Sequence, residues 1–506
     1  MNLIKNTCFS TIDSQTKSGK FVLILKSIIL EKIAVIGGLG TLSGGDLFFK
    51  LLKNQRVLKN QLQYHFVFEQ QPYSQINLPL YHEEDIKSRK YYTYNVCKKF
   101  EAQSLTKVLL PCFASHSFLE ELQKEISIPI VNIFKALAEY INSRFKTPVK
   151  IGVLTSDYVK ESNMLSQYIP DHELIFPSHQ QRLMEAIYGD QGIKNGYFDG
   201  LSLEYIYQAC TELNSNGCDI ILPGITELSL IVEQLWKRGI SILDVNQIYA
   251  DYALEHDSNI TAKPFKLGIL GGVGPSATVD FMNKIIKNTP AQKDQDHIKM
   301  VVEQNPQIPD RTAHLIYHET DPSIALFSTC RRLEAEGVDA IAIPCNTAHA
   351  FVQDIQEHLS IPIINMLTTT AEYIRESFGQ SVKVGLLATS GTIESKVYHN
   401  ILEEFGFDVV IPDQEHQNNV MESIYGKFGV KAGFTDGLCK ENLLKAADFV
   451  INSDAEVIIL GCTELPLLFP IETEIVKNGK SIALIDPTLI LAKKIVLITK
   501  NESSSR

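Results

Sequence analysis

The chain has 506 residues, 44% hydrophobic and 21% charged. This is the composition of a folded globular protein; it excludes disorder or a fibre as a description of the whole chain, and the length exceeds what one hydrophobic core serves, so two or more domains are expected. Lys and Arg number 47 against 59 Asp and Glu, a net charge of -12 with no basic stripe, which argues against nucleic acid as a partner.

At the start of the chain, residues 21–30 (FVLILKSIIL) form a short apolar run broken by Lys26. It is too short to span a bilayer and no small-residue cleavage pattern follows, so residues 1–30 read as an extension leading into a first strand. The nine cysteines are odd in number and form no Cys-x-x-Cys pair. That argues against a disulfide scaffold or zinc ribbon and for a reducing compartment; a cytoplasmic protein without a membrane anchor is the expectation.

From residue 32 onward the chain is written twice. KIAVIGGLG (32–40) returns as KLGILGGVG (266–274), LLPCFASH (109–116) as AIPCNTAH (342–349), and SIPIVNIFKALAEYI (127–141) as SIPIINMLTTTAEYI (360–374). EAIYGDQGIKNGYFDG (185–200) returns as ESIYGKFGVKAGFTDG (422–437), and CDIILPGITEL (218–228) as AEVIILGCTEL (455–465). The order is kept and the offset drifts only from 233 to 237, which identifies a tandem duplication. The predicted domains are a repeat over 31–256 and a second over 264–497, with a polar seam between them.

Within each repeat, short β-branched runs alternate with helical-period stretches, the pattern of parallel sheets covered on both faces. In the second repeat the runs include KLGILGG, HIKMVVEQ, DAIAIPC, KVGLLAT and EVIILGC. Strand–Cys–helix junctions occur twice in that repeat, which predicts an α/β fold of two lobes per repeat, four lobes in all, each a mainly parallel sheet flanked by helices.

The junctions carry the chemistry. In IAIPCNTAH (341–349) a strand ends at Pro344 and a helix is expected by about Ala348. Cys345, Asn346 and Thr347 then sit at a strand end and a helix start, where ligands bind in open α/β folds and where a helix dipole would favour an anion and depress the Cys345 pKa. IILGCTELP (458–466) repeats the arrangement with Cys462, Thr463 and Glu464, and Pro466 suits a first helical turn. A lone buried cysteine is most often a small core residue. Two at equivalent junctions suggest a pair of bases, one removing a proton from a carbon and the other delivering one to its opposite face, without a cofactor. A metal site with His349 lacks four ligands at usual spacing. Gly272-x-Gly274-x-x-Ala277 matches a dinucleotide fingerprint, with Glu303 ending the next strand, but Pro275 removes an N–H that would face a pyrophosphate. The loop reads instead as a turn on the substrate side.

GGVGP (271–275), NPQIPDRT (305–312), PCNTAH (344–349), VKAG (430–433) and GCTEL (461–465), in that order, resemble the aspartate/glutamate racemase superfamily, with GCTEL closer to its aspartate racemase branch. The resemblance implies a PLP-independent amino-acid racemase with Cys345 and Cys462 as the acid/base pair. It implies Arg311 and Lys431 at the substrate carboxylates, and Asn346, Thr347 and Thr463 holding the α-carboxylate or the ammonium. Aspartate is the favoured substrate, with glutamate next. Another cysteine-pair isomerase or lyase of the same scaffold, of hydantoin or maleate type, and a non-catalytic amino-acid-binding protein are the alternatives.

The first repeat has lost parts of this set. By the offsets, Cys345 corresponds to Cys112 and His349 to His116, but Asn346 and Thr347 correspond to Phe113 and Ala114, Cys462 to Ile225 and Arg311 to Asn77. Lys194, Thr226 and Glu227 remain. One thiol, one guanidinium and two polar anchors are missing on this reading, so the first repeat is expected to be silent as a racemase. It would dock on its active neighbour as an intramolecular pseudo-dimer, bind an amino acid as a regulator, or run one-base chemistry through Cys112.

Overall fold

In the computed structural model, residues 30–71, 73, 80, 83–256, 264–470, 473–477 and 479–505 are described, without the side chains of 83–85 and 501–505. The proposed extension, Leu30 excepted, and Asn77 lie outside them. The chain divides into two units, Met1–Lys263 and Pro264–Arg506.

The first unit begins with β1 (Glu31–Ile36), whose Ile33, Ala34, Val35 and Ile36 are all fully buried. A run buried on both faces is what a parallel sheet between helices requires. With β2 (Tyr64–Glu69), β3 (Lys107–Leu109) and β4 (Ile130–Val131) it forms a sheet in the order β2-β1-β3-β4. A second sheet, β6-β5-β7, joins β5 (Lys150–Leu154), β6 (Glu173–Ile175) and β7 (Ile220–Pro223), with Ile242 bridging Ile221 beyond its edge.

The second unit repeats the plan. Its first sheet, β11-β10-β8-β9, consists of β8 (Lys266–Gly271), β9 (Lys299–Gln304), β10 (Ala340–Ala342) and β11 (Ile363–Ile364). The register is shared as well: Ile33 faces Lys107 across β1 and β3, and the corresponding Leu267 faces Ala340 across β8 and β10. The second sheet runs β13-β12-β14-β16-β15, from β12 (Val384–Ala388), β13 (Val409–Val410), β14 (Val457–Gly461), β15 (Glu474–Lys477) and β16 (Lys480–Ile485). The parallel bridge of Ile221 to Ile242 stands in the first unit where β14 pairs with β16 in the second, and β15 adds an antiparallel strand beyond β16.

In each unit the last helix returns to the first lobe, and the same ion lock marks the junction. Lys50 on the helix Thr41–Lys53 meets Asp46 (2.7 Å) and Asp244 (2.8 Å) at the start of the helix Val245–Glu255. Lys284 on the helix Pro275–Asn288 meets Asp280 and, at 2.6 Å, Asp486 before the helix Pro487–Ser505. The two-lobed unit is thus closed twice by one device.

The cysteine junctions differ from expectation in one respect. No long helix follows either. A 3-10 turn, Thr347–Phe351, runs into the short helix Val352–Gln356, and Cys462 is followed by the 3-10 turn Leu465–Leu468 with Pro466 in its first positions. Such short turns align few peptide dipoles, so the dipole argument for an anion at Cys345 loses its basis. The site must be charged by side chains.

Candidate active site

Cys345 and Cys462 are each held by a separate polar frame. The backbone of Cys345 is clamped by His349, whose Nδ1 donates to the Cys345 carbonyl (2.8 Å) while Nε2 accepts from the Met366 N–H (3.1 Å). Burial drives the His349 pKa down to about 4, so the ring stays neutral and is a structural strut. Both ring nitrogens are engaged by backbone, which disposes of the metal reading for this residue. Among the described residues no cluster of His, Cys, Asp and Glu is arranged to hold a metal ion.

Next to Cys345 in the chain, Asn346 accepts a hydrogen bond at Oδ1 from the fully buried Tyr398 hydroxyl (2.8 Å), and its Nδ2 has no acceptor among the described residues. A buried amide donor fixed in orientation and left open is a ready partner for a carboxylate. Thr347 belongs to a ring of hydroxyls, 3.1 Å from Thr389 and 2.9 Å from Thr392. Arg311, at the start of the helix Arg311–Tyr317, is 8% exposed and donates to the Pro309 carbonyl at 3.1 Å, while its Nε has no acceptor among the described residues. Burial works against the Arg311 charge, but Cys345 and then Asp310 outweigh it and hold the guanidinium above its ordinary value.

Cys462 lies beyond β14 in a different electrostatic setting. Its Sγ donates to Glu464 Oε2 (3.1 Å), and Glu464 Oε1 accepts from Lys431 Nζ (2.5 Å). Thr463 Oγ1 also donates to Glu464 Oε2 (3.3 Å). Burial pushes the Cys462 thiol well above its ordinary value, Glu464 adds to this and Lys431 opposes it. Burial would raise the Glu464 carboxyl too, but Lys431 outweighs it and keeps the group ionised. Lys431 is presented by the 3-10 turn Val430–Ala432 between Gly429 and Gly433, and lies 5.4 Å over the ring of Tyr425.

Cys345, Cys462, Arg311, Asn346, Thr347, Thr463 and Lys431 all line one small cavity of ≈ 10 Å³. Beside it a wider cavity of ≈ 430 Å³ is bordered by Arg311, Asp310, Lys431 and Glu464. The sequence reading missed Tyr398, Thr389, Tyr425 and the bridging role of Glu464. For Tyr425 and Glu464 a signal existed, since the motifs IYG and TEL occur in both repeats. Tyr398 has no such mark, because Leu165 occupies its place in the first repeat.

The glycine loop serves this site. Gly272 (φ +89) lies so close to the Asn305 backbone that a Cβ would sit 2.3 Å from it, and a Cβ on Gly274 (φ +113) would sit 2.7 Å from Glu464 Oε1. A carboxylate against the loop is the wrong charge for a pyrophosphate, which removes the dinucleotide reading.

The first unit reproduces much of this frame. His116 Nδ1 bonds the Cys112 carbonyl (3.0 Å) and Nε2 accepts from the Ile133 N–H (3.1 Å). Lys194 pairs with Glu227 and lies 5.5 Å over the Tyr188 ring. Ile225 stands where Cys462 does and is 6% exposed. One expectation is corrected: a guanidinium is present. Arg89, on the helix Glu83–Ala102, places Nη1 3.3 Å from Cys112 Sγ. A constant offset could not find it, because a different element supplies it.

Comparison with known proteins places these observations. The family model described as Asp/Glu/Hydantoin racemase matches twice, over residues 36–253 and 270–495. The broad specificity amino-acid racemase RacX of Bacillus subtilis is 31% identical over 237 residues, 46% of this chain and 96% of that protein. A glutamate racemase of Prochlorococcus marinus is 29% identical over 175 residues, 33% of this chain and 59% of that one. Among solved structures, the Picrophilus torridus aspartate racemase is similar over 47% of this chain and 94% of that one, with 31% identity and a TM-score of 0.40. Among the described residues no helix is long and apolar enough to cross a membrane. With both halves of its duplication matched by one family model, the chain belongs to the Asp/Glu/Hydantoin racemase family and carries that domain in tandem.

Proposed function

We propose that the second unit is a PLP-independent amino-acid racemase that interconverts L- and D-aspartate, and glutamate less readily, with Cys345 and Cys462 as its two bases. The observation that carries this reading is the convergence of two thiols on one cavity, Cys345 from the strand end after β10 and Cys462 from the strand end after β14. Arg311, which has only donors, lines the same cavity, and the Cys462 S–H already donates to Glu464.

In one direction Cys345, as thiolate, takes the α-proton from one face of Cα while Cys462 delivers its proton to the other face. The product leaves the two sulfurs with exchanged protons, and the reverse reaction runs through the same pair. The carbanion is the high-energy conjugate base of a weak carbon acid, so catalysis depends on fixing Cα between the sulfurs and on donors aimed at the α-carboxylate. Asn346 Nδ2 is the clearest such donor, with Thr347 and Thr463 beside it. Arg311 and Lys431 supply the positive charge a dicarboxylate needs. Asp310 and Glu464 on the wider cavity support a second reading, in which other amino-acid side chains are also accepted.

The test is incubation with L-aspartate in D2O, followed by proton NMR and chiral chromatography. Deuterium should enter Cα as the D isomer accumulates. Turnover of maleate or a hydantoin with no amino-acid interconversion, or saturable binding with no deuterium at Cα, would overturn the proposal.

A further inference from the structure

Three buried polar groups of the second unit change together between the repeats. Asn346, Thr370 and Tyr398 come from separate elements: the turn after β10, the helix Met366–Phe378 and the helix Val397–Glu404. Their counterparts in the first unit are Phe113, Leu137 and Leu165, all buried and all apolar. His349, which clamps backbone, is by contrast kept as His116. Tyr398 and Thr370 are fully buried, and the Tyr398 hydroxyl meets Asn346 Oδ1 at 2.8 Å and hydrogen-bonds Thr370. Hydrocarbon fills these positions in the first unit, so the packing of the lobes does not require a phenol there. A buried hydroxyl is destabilising unless it is partnered, and the partner that distinguishes the second unit is the Asn346 amide.

We propose that Tyr398, backed by Thr370, is a positioning residue: its hydroxyl holds the Oδ1 edge of Asn346 and so turns the amide N–H groups toward the cavity, where they receive the α-carboxylate of the substrate. This rests on the amino-acid-binding reading of the cavity above and adds how Asn346 is aimed. A free carboxamide can rotate by half a turn and present either two donors or an acceptor, and only the donor edge suits a carboxylate. Tyr398 donates to Oδ1, which leaves Nδ2 as the open edge, without an acceptor among the described residues. Phe113 presents no amide in the first unit, and Leu137 and Leu165 stand there with nothing to aim.

The experiment measures binding by calorimetry in the Cys345→Ser, Cys462→Ser chain, where aspartate is held without reacting. A chain that binds aspartate here but does not racemise it with both cysteines present fails the racemase proposal and leaves this one readable. Tyr398→Phe should weaken L-aspartate about tenfold, and should move β-alanine, which keeps the ammonium but lacks the α-carboxylate, by less than about twofold. With Asn346→Ala already in place, Tyr398→Phe should change aspartate binding by less than about twofold, because the group it aims is gone. Thr370→Val should act in the same direction by a smaller factor, and carries the test if Tyr398→Phe does not fold. No weakening of aspartate, equal weakening of both ligands, the same factor with and without Asn346, or no binding of aspartate at all each overturns the proposal.

Discussion

The two units agree bond for bond where a buried polar group would otherwise be orphaned, and part company where a side chain faces the cavity. The histidine strut, the lysine–aspartate lock, the Lys–Glu pair and the tyrosine beneath it occur in both. Breaking any of these leaves a buried charge or donor unpaired, so each is held by the fold itself. Cys462, Asn346 and Thr347 face the cavity, and the first unit has Ile225, Phe113 and Ala114 in their places, with Leu165 and Val159 where Tyr398 and Thr392 bond Asn346 and Thr347. A duplicated domain thus separates the residues that build the frame from those that work on a substrate.

The sharpest break of this comparison is at the thiols. Cys345→Ser and Cys462→Ser should each lower kcat for aspartate by at least about 10³, since a two-base reaction loses one of its bases. In the double variant, deuterium incorporation at Cα should vanish although Cys112 is intact. Exchange that survives there places proton-transfer chemistry in the first unit and ends its description as a silent copy.

The strut makes a second, shared prediction. His116 and His349 both have pKa values lowered to about 4 by burial. The folded values lie below the ordinary 6.5, so the stabilisation is complete above that pH and is lost as pH falls from 6.5 toward 4. Each histidine accounts for about 3 kcal/mol across that window, from about 1.4 kcal/mol per unit of pKa. Urea unfolding between pH 7 and 4.5 should show the loss, and His116→Gln or His349→Gln should each flatten the slope. An unchanged slope in either variant would show that the two struts do not bear equally on their units.

What the sequence disclosed follows the same division. The repeat, the parallel sheets and the cavity residues Cys345, Cys462, Arg311, Asn346, Thr347, Thr463 and Lys431 were legible because strand ends and motif order put them there. Tyr398 was not: its hydroxyl reaches Asn346 across 52 positions, and nothing local marks it. Arg89 was hidden for the opposite reason, since the repeat pointed to Asn77. The helix expected after Cys345 failed because His349 ties the turn back to the Cys345 carbonyl, a contact no periodicity reveals.

Glu464 sharpens the comparison within the active unit. It raises the Cys462 thiol and engages Lys431, so Glu464→Gln removes a negative charge next to the acid and frees a positive one. The thiol should then ionise at lower pH, and the alkaline limb of kcat should move acidwards. The loss of kcat at the optimum should be modest, about 10-fold, because both thiols remain. A pH profile that does not move would mean that Glu464 positions Lys431 without tuning Cys462.

The smallest effect expected is a gain that does not come. Ile225→Cys returns a sulfur to the first unit, opposite a Cys112 that already has Arg89 beside it. Tested in the Cys345→Ser, Cys462→Ser background, it should give no deuterium at Cα of aspartate. Phe113 and Ala114 offer the α-carboxylate no side-chain donor, and Leu165 stands where Tyr398 fixes the amide of Asn346. Two bases without that donor leave the carbanion unstabilised, and donors of this kind are worth about 10²–10³ in rate each. Turnover in this triple variant would locate the whole difference between the units in the one side chain at 225; its absence, followed by recovery on adding Phe113→Asn and Ala114→Thr, would assign it to carboxylate recognition.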